Sequence, residues 1–261
     1  VALGYLAAEL LGANGETRNV IIGSRAGGTT ANASSDDNVV IGYAALGNSD
    51  DKVVAENVFI GKNSGGGNIA GEVRYNTAVG MNTMAGAMNI SEGNVAIGHS
   101  ALNALTTGDG NVAVGFEAGH DCTGSSRSVF VGYQAGDKTS SSENVAIGYQ
   151  SLGADAYNSV AIGYTAGTIA AGGRNVYIGS GSGASATSGT FNTLLGSNTD
   201  VDAATDSYQV KIGSYGIKKF KTARITLSEF SSGNNTAGKS AHTNALFTIP
   251  SKSFISKVVV K

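Results

Sequence analysis

A five-residue pattern, Asn-Val-Ala-Ile-Gly or a close variant, recurs along most of this chain and constrains the fold more than any other feature. Each copy ends on a glycine, called here the closing glycine. The closing glycines are Gly4, Gly23, Gly42, Gly61, Gly80, Gly98, Gly115, Gly132, Gly148, Gly163, Gly179, Gly196 and Gly213. Neighbouring closing glycines are 15 to 19 residues apart. So short and regular a period predicts a solenoid of about thirteen coils, each stacked on the one before.

The residues before the closing glycine predict that each copy is a β-strand. The third residue before it is Val in eleven copies and Thr in two, and the residue immediately before it is always Ile, Val or Leu. β-Branched residues favour strands, and alternation places these two positions on one face. The repeat core predicted from four copies consists of Val95, Ile97, Gly98, Val112, Val114, Gly115, Val145, Ile147, Gly148, Val160, Ile162 and Gly163.

The position between these two is also apolar, except at Lys211 in the last copy. Both faces of the strand should therefore be buried, since a face in contact with water would carry polar residues. One face can fill the inside of the coil. A coil of 16 residues spans a circuit of roughly 50 Å, enough for two strands and two turns but not for a further covering layer. We therefore expect the second face to pack against other copies of the chain, giving a homo-oligomer.

Two more positions of the repeat are restricted. Asn precedes the strand in nine of twelve copies, where its amide can bond the same amide one coil away. The third residue after the closing glycine is always small, which predicts a second short strand packed close to the first. The closing glycine itself fits a corner that needs positive φ or a close backbone approach.

Charge divides the chain where the repeats end. Residues 1–210 carry 8 Lys and Arg against 18 Asp and Glu, whereas residues 211–261 carry 9 against 1. We expect a solenoid over 1–213 and a β-rich segment over 214–261 that belongs to a further domain. No stretch is long and apolar enough for a membrane-spanning helix, so no membrane insertion is expected. Because the first residues already belong to a repeat, we expect the chain to be part of a longer protein.

The units "NVAIGYQSLGADAYNSVAIGYTAG" (144–167) resemble the head repeat of YadA-like trimeric autotransporter adhesins, and similar repeats occur in fibre proteins of tailed bacteriophages. The resemblance covers roughly 1–213 and implies a left-handed parallel β-roll and a trimer. The period is longer than that of the bacterial head, and no heptad stalk follows. The segment "LFTIPSKSFISKVVVK" (246–261) resembles β-rich parts of marine phage structural proteins, which favours a virion over a cell surface.

Motifs that carry chemistry have ordinary explanations in this chain. "GNNTAGKS" (233–240) matches the phosphate-binding P-loop pattern, but Pro250 follows within ten residues where a helix is needed. His120, Asp121 and Cys122 are adjacent, and adjacent side chains in a strand or loop do not converge. The acidic pairs Asp36/Asp37 and Asp50/Asp51 could lie near one another and act as a glycosidase pair or bind calcium, but solvated loop charge explains them. We predict no catalytic residue, cofactor or metal site.

An aromatic residue follows the closing glycine in several copies. The candidate glycan contacts are Tyr43, Phe116, Tyr133, Tyr149 and Tyr164. The same residues could form a ladder between coils or pack in an oligomer. The basic residues of the C-terminal segment, such as Lys218, Lys219, Lys221 and Arg224, lack interleaved aromatic residues, so we expect them to dock other virion proteins rather than nucleic acid.

The sequence thus predicts an all-β homotrimeric solenoid that is a structural fibre of a phage virion, attaching to a host surface glycan or protein, or acting as a spacer. Two alternatives remain open at this point: the head of a bacterial trimeric autotransporter adhesin on a cell surface, and a polysaccharide-cleaving tailspike.

Overall fold

A computed structural model describes residues 1–7, 18–28, 35–47 and 52–213, and every regular element in these ranges is a β-strand. The strands are β1 Ala2–Leu3, β2 Val20–Ile22, β3 Val39–Ile41, β4 Val54–Ala55, β5 Val58–Ile60, β6 Val73–Arg74, β7 Thr77–Val79, β8 Ser91–Glu92, β9 Val95–Ile97, β10 Val112–Val114, β11 Val129–Val131, β12 Val145–Ile147, β13 Val160–Ile162, β14 Val176–Ile178, β15 Thr193–Leu195 and β16 Val210–Ile212. Within these ranges there is no helix that could cross a membrane. The predicted β-rich segment 214–261 lies outside the described residues.

Thirteen of these strands form one parallel sheet, in the order β1-β2-β3-β5-β7-β9-β10-β11-β12-β13-β14-β15-β16. Each strand pairs with the equivalent residues of the next repeat, so that Ala113 is opposite Ala96 on one side and Phe130 on the other. The register is the same throughout, although the coils differ in length. The predicted β-solenoid is confirmed.

Among the described residues, a second sheet is present in three of the longer coils. It contains the two-residue strands β4, β6 and β8, which precede the main strand of their repeat. The predicted second strand after the closing glycine is wrong, because the chain turns there. The N–H of Ala135 donates to the carbonyl of Gly132 in such a turn, and the small side chain is buried beneath it.

The central residue of each main strand from β2 onwards is buried inside the coil. These residues form the inner column, and Ala96, Ala113, Phe130 and Ala146 are among its fully buried members. The inner column ends at Lys211, which is also buried; its ammonium group donates to the carbonyl of Asp200 and lies 3.1 Å from the Asp202 carboxylate. A charged group at this rung replaces the apolar column.

Large residues of the inner column are accommodated by glycine at the fourth position after the closing glycine. A methyl group on Gly119 would lie 2.8 Å from the Phe130 ring, and one on Gly167 would lie 2.7 Å from the Tyr177 ring. Two coils whose inner residue is alanine place Leu102 or Leu152 at the same position, fully buried. The inner column and the fourth position after the closing glycine therefore share one volume of core, within a coil and between adjacent coils.

The asparagines form the predicted ladder along the corner before the strands. The Asn94 side-chain oxygen accepts from the Asn111 backbone N–H and from its side-chain amide, both at 2.9 Å. Where serine replaces asparagine at Ser128, its hydroxyl accepts from the Asn144 N–H at 3.1 Å. The ladder satisfies buried amides along the stack, which keeps adjacent coils in register.

Candidate functional site

The outer surface of the thirteen-stranded sheet is largely apolar. Its two outer columns are the residues three before and one before each closing glycine. In the four predicted repeat-core copies these columns contain Val95, Ile97, Val112, Val114, Val145, Ile147, Val160 and Ile162. All eight are half-buried or exposed, and Ile97 is 41 % exposed. In a single chain, the buried residues of these four strands are instead the alanines of the inner column.

The closing glycines Gly98, Gly115, Gly148 and Gly163 lie at the corner that ends each strand. The thirteen closing glycines have φ between +128° and +141°. A methyl group on Gly148 would lie 2.5 Å from the carbonyl oxygen of Gly163 in the next coil. Both the positive φ and the close approach require glycine here, because any side chain would clash with the backbone of the next coil.

The outer columns extend over the whole sheet as a continuous strip. Thirteen strands at about 4.8 Å spacing give a length of about 58 Å, and three strand residues span about 10 Å. The strip therefore covers on the order of 600 Å², close to the roughly 800 Å² that each partner contributes to a standard protein interface. An apolar surface of this size is at the upper end of what a monomer exposes, and such surfaces are often interaction sites.

An aromatic column borders this strip at the position after the closing glycine. His99, Phe116, Tyr133, Tyr149 and Tyr164 stack in order, with ring centroids 5.0 to 5.1 Å apart and planes within 10° of parallel. The separation is that of the coils themselves, because each ring belongs to the next coil. The sequence indicated the other four rings but missed His99, although it holds the same position of its repeat.

The stacking determines how these rings can contact a ligand. Phe116, Tyr133 and Tyr149 have a neighbouring ring against each face, so only their edges face outwards. Tyr164 is followed by Ser180 in the column and is 59 % exposed, and Tyr43 is 50 % exposed between Ser24 and Lys62. A sugar ring can therefore stack flat only on Tyr43 and Tyr164 among the candidate glycan contacts.

A second exposed column precedes the asparagine ladder. All its described residues, from Arg18 to Tyr208, have φ between +51° and +66°. It places Arg127 against Glu143 at 2.8 Å, and Arg174 over the ring of Phe191 at 5.2 Å. The hydrogen bond from Arg127 holds the pKa of Glu143 below its usual value. This column was not predicted from the sequence, although its constant position immediately before the asparagine ladder could have revealed it.

The acidic candidates are divided between described and undescribed residues. Asp36 and Asp37 lie beside Arg18, whose guanidinium is 2.6 Å from the Asp37 carboxylate and lowers its pKa. Asp50 and Asp51 lie outside the described residues, as do the P-loop-like stretch 233–240 and the basic tail.

His120, Asp121 and Cys122 lie in a turn, and the expectation that their side chains diverge is only partly correct. The His120 Nδ1 is 2.7 Å from an Asp121 carboxylate oxygen and 3.9 Å from Asp137 in the next coil. Partial burial and the nearby Asp121 charge raise the pKa of Asp137. Cys122 points the other way: its thiol is buried, which raises its pKa, and donates to the carbonyl of Thr139 at 2.8 Å.

No family model, curated protein or solved structure matches the chain.

Proposed function

We propose that this protein is a structural fibre or appendage protein of a bacteriophage virion. Three chains pack through their outer columns, and the assembly attaches to a host surface or separates other virion proteins. The observation that carries the proposal is the apolar strip, which the described part of the chain leaves half-buried or exposed along thirteen strands. The YadA-like repeats of 144–167 support the trimer and a left-handed coil.

The proposed mechanism is mechanical and multivalent. Parallel strands and the asparagine ladder connect each coil to the next, and stacked rings join five of the coils, so the solenoid resists bending. A trimer presents every surface loop three times, and linked weak contacts strengthen one another through effective concentration. No step of this function needs a catalytic residue or a cofactor.

The partners follow from the surfaces. Tyr43 and Tyr164 offer open ring faces to a host surface glycan, and the basic C-terminal segment docks other virion proteins. Nucleic acid is not a partner in this proposal, and the protein is located in the virion.

Native mass spectrometry of the purified chain tests the assembly. We expect three chains per particle. The triple variant Ile97→Glu, Ile147→Glu, Ile178→Glu places three charges in an outer column and should give monomers. The matched control adds three glutamates at exposed turn positions, Thr123, Ala171 and Ser188, and should remain trimeric. A wild-type monomer at micromolar concentration would contradict the proposed assembly.

Immunogold electron microscopy tests the biological role. An antibody against the chain should label a fibre or appendage on purified phage particles. Label confined to the outer surface of bacterial cells that carry the gene would favour the adhesin head. Release of reducing ends from host capsule would instead favour the polysaccharide-cleaving spike.

A further inference from the structure

The turn after the closing glycine brings three metal-binding side chains together from two successive coils. His120 and Asp137 both occupy the fifth position after a closing glycine, so they lie one above the other, and Asp121 follows His120. The Asp121 N–H donates to the Asp137 carbonyl at 2.8 Å. This backbone hydrogen bond fixes the two coils at the place where the three side chains meet.

The distances among the side-chain atoms suit a single small ion. One ligand atom from each residue lies within 4.8 Å of the other two. The Nδ1 of His120 is 2.7 Å from Asp121 Oδ1 and 3.9 Å from Asp137 Oδ1. An ion with bonds of about 2.0 to 2.2 Å keeps its ligands about 3 to 3.5 Å apart. Shifts of under about 1 Å by the side chains, which rotation can supply, would bring the two measured separations into this range.

The charges at this corner also favour a cation. Two carboxylates lie close together, and within the described ranges neither forms an ion pair with a lysine or arginine. His120 and Asp137 are partly buried, which weakens the solvation of the carboxylate charge. Bound cation charge would offset the repulsion between Asp121 and Asp137.

The donor set selects the class of ion. An imidazole nitrogen with two carboxylates suits the first-row transition metals, whereas Ca²⁺ and Mg²⁺ prefer oxygen ligands alone. The geometry points to a binding site for a divalent first-row transition-metal ion, such as Zn²⁺ or Ni²⁺, formed by His120, Asp121 and Asp137. The bound ion joins two coils, and water completes its coordination at the exposed side.

Isothermal titration of the whole metal-free chain with ZnCl₂ tests the site. We expect one ion per chain, and at least tenfold weaker binding for Asp137→Asn and for His120→Asn. Asparagine is compatible with this turn, because Asn103 holds the same position one coil earlier. The controls are Asp109→Asn, an exposed aspartate outside the cluster, and His99→Asn, which should both bind as the wild type does.

Two further measurements separate a site from a folding effect. Circular dichroism should show unchanged secondary structure in each variant, and ZnCl₂ should raise the melting temperature of the wild type but not of His120→Asn, since ligand bound only to the folded state stabilises it. CaCl₂ titrated in parallel should bind at least tenfold more weakly. Zinc binding that is unchanged in both His120→Asn and Asp137→Asn, or absent in the wild type, would overturn the proposal.

Discussion

At the scale of single residues, the fold depends on backbone conformations that most residues avoid. The residue before the asparagine ladder is left-handed in every described coil, including charged and aromatic residues such as Glu143 and Tyr208. A left-handed conformation costs roughly 1–2 kcal/mol for an ordinary residue. Contacts with the next coil offset this cost for several of these residues, as the hydrogen bond from Arg127 to Glu143 does.

The buried Tyr177 should make the protein sensitive to alkali. Burial raises the pKa of its phenol to about 12, above the value near 10 that the unfolded chain has. Between these pH values the folded state holds a proton that the unfolded state loses, so stability falls as pH rises from 10 to 12. In thermal unfolding followed by circular dichroism, Tyr177→Phe should lose less stability over this window than the wild type.

Tyr149→Phe provides the comparison, because Tyr149 is partly exposed whereas Tyr177 is fully buried. Between pH 10 and 12, Tyr177→Phe should differ from the wild type by more than Tyr149→Phe does. Equal slopes for the wild type and Tyr177→Phe would show that this phenol does not titrate against folding.

At the scale of the coil, strand and turn share one packing problem. Phe130 fills its coil because Gly119 and Gly136 leave room for its ring. The following coil instead combines a small inner residue, Ala146, with a large turn residue, Leu152. Residue types in the outer columns are nearly constant because they are set by the sheet. Residue size in the inner column varies because the size of the turn residue compensates for it. Side-chain volume is thus shared within a coil and with the next one, as Gly119 and Phe130 show.

This exchange of volume predicts a compensating double variant. Phe130→Ala should cost about 3–5 kcal/mol of unfolding free energy through the cavity it leaves. Gly136→Leu alone should also destabilise the folded protein, because the leucine side chain would overlap the ring of Phe130. The double variant Phe130→Ala, Gly136→Leu reproduces the Ala146 and Leu152 arrangement and should recover at least about 2 kcal/mol relative to the sum. Urea unfolding at fixed protein concentration measures it, and simple additivity would refute the shared volume.

Much of this element could be predicted from the sequence, and the physical reason is the period. The closing glycines and Val/Ile positions fixed the strands, since β-branched residues and glycine corners have few alternatives. The repeat-core assignment of Val95 and Ile97 did not give the direction of the side chains, because both faces of the strand are apolar. The contact of His120 with Asp137 depends on the register of two turns of different sequence, which no pattern within one repeat reveals.

At the scale of the whole solenoid, each described coil contacts only its neighbours through the sheet, as the pairing order shows. Stability should then be a sum of coil and neighbour contributions. The outer columns are the exception, since a partner chain would contact all thirteen strands at once. In the proposed trimer, local packing and assembly would therefore use opposite sides of the same strands.

Pairs of glycine variants test this one-dimensional behaviour. Gly136→Ala and Gly183→Ala press on different rings three coils apart, so their effects on unfolding free energy should add within about 0.5 kcal/mol. Gly119→Ala and Gly136→Ala both press on Phe130 and should deviate from additivity by more than that. Chemical denaturation of the three single variants and the two double variants gives the unfolding free energies from which both deviations from additivity are calculated. Strong coupling between Gly136 and Gly183 would mean that packing changes propagate along the stack.

The register of the main sheet is constant although the repeats are 15 to 19 residues long. The length of a turn and the number of coils can therefore change independently. Residues can be gained or lost in a turn without altering the strands above and below it, so surface loops can diversify while the scaffold is copied. Duplication or deletion of one complete repeat would alter reach by a single rung, about 4.8 Å, and leave every remaining junction intact. A lineage that carries this fold can thus adjust length and surface separately.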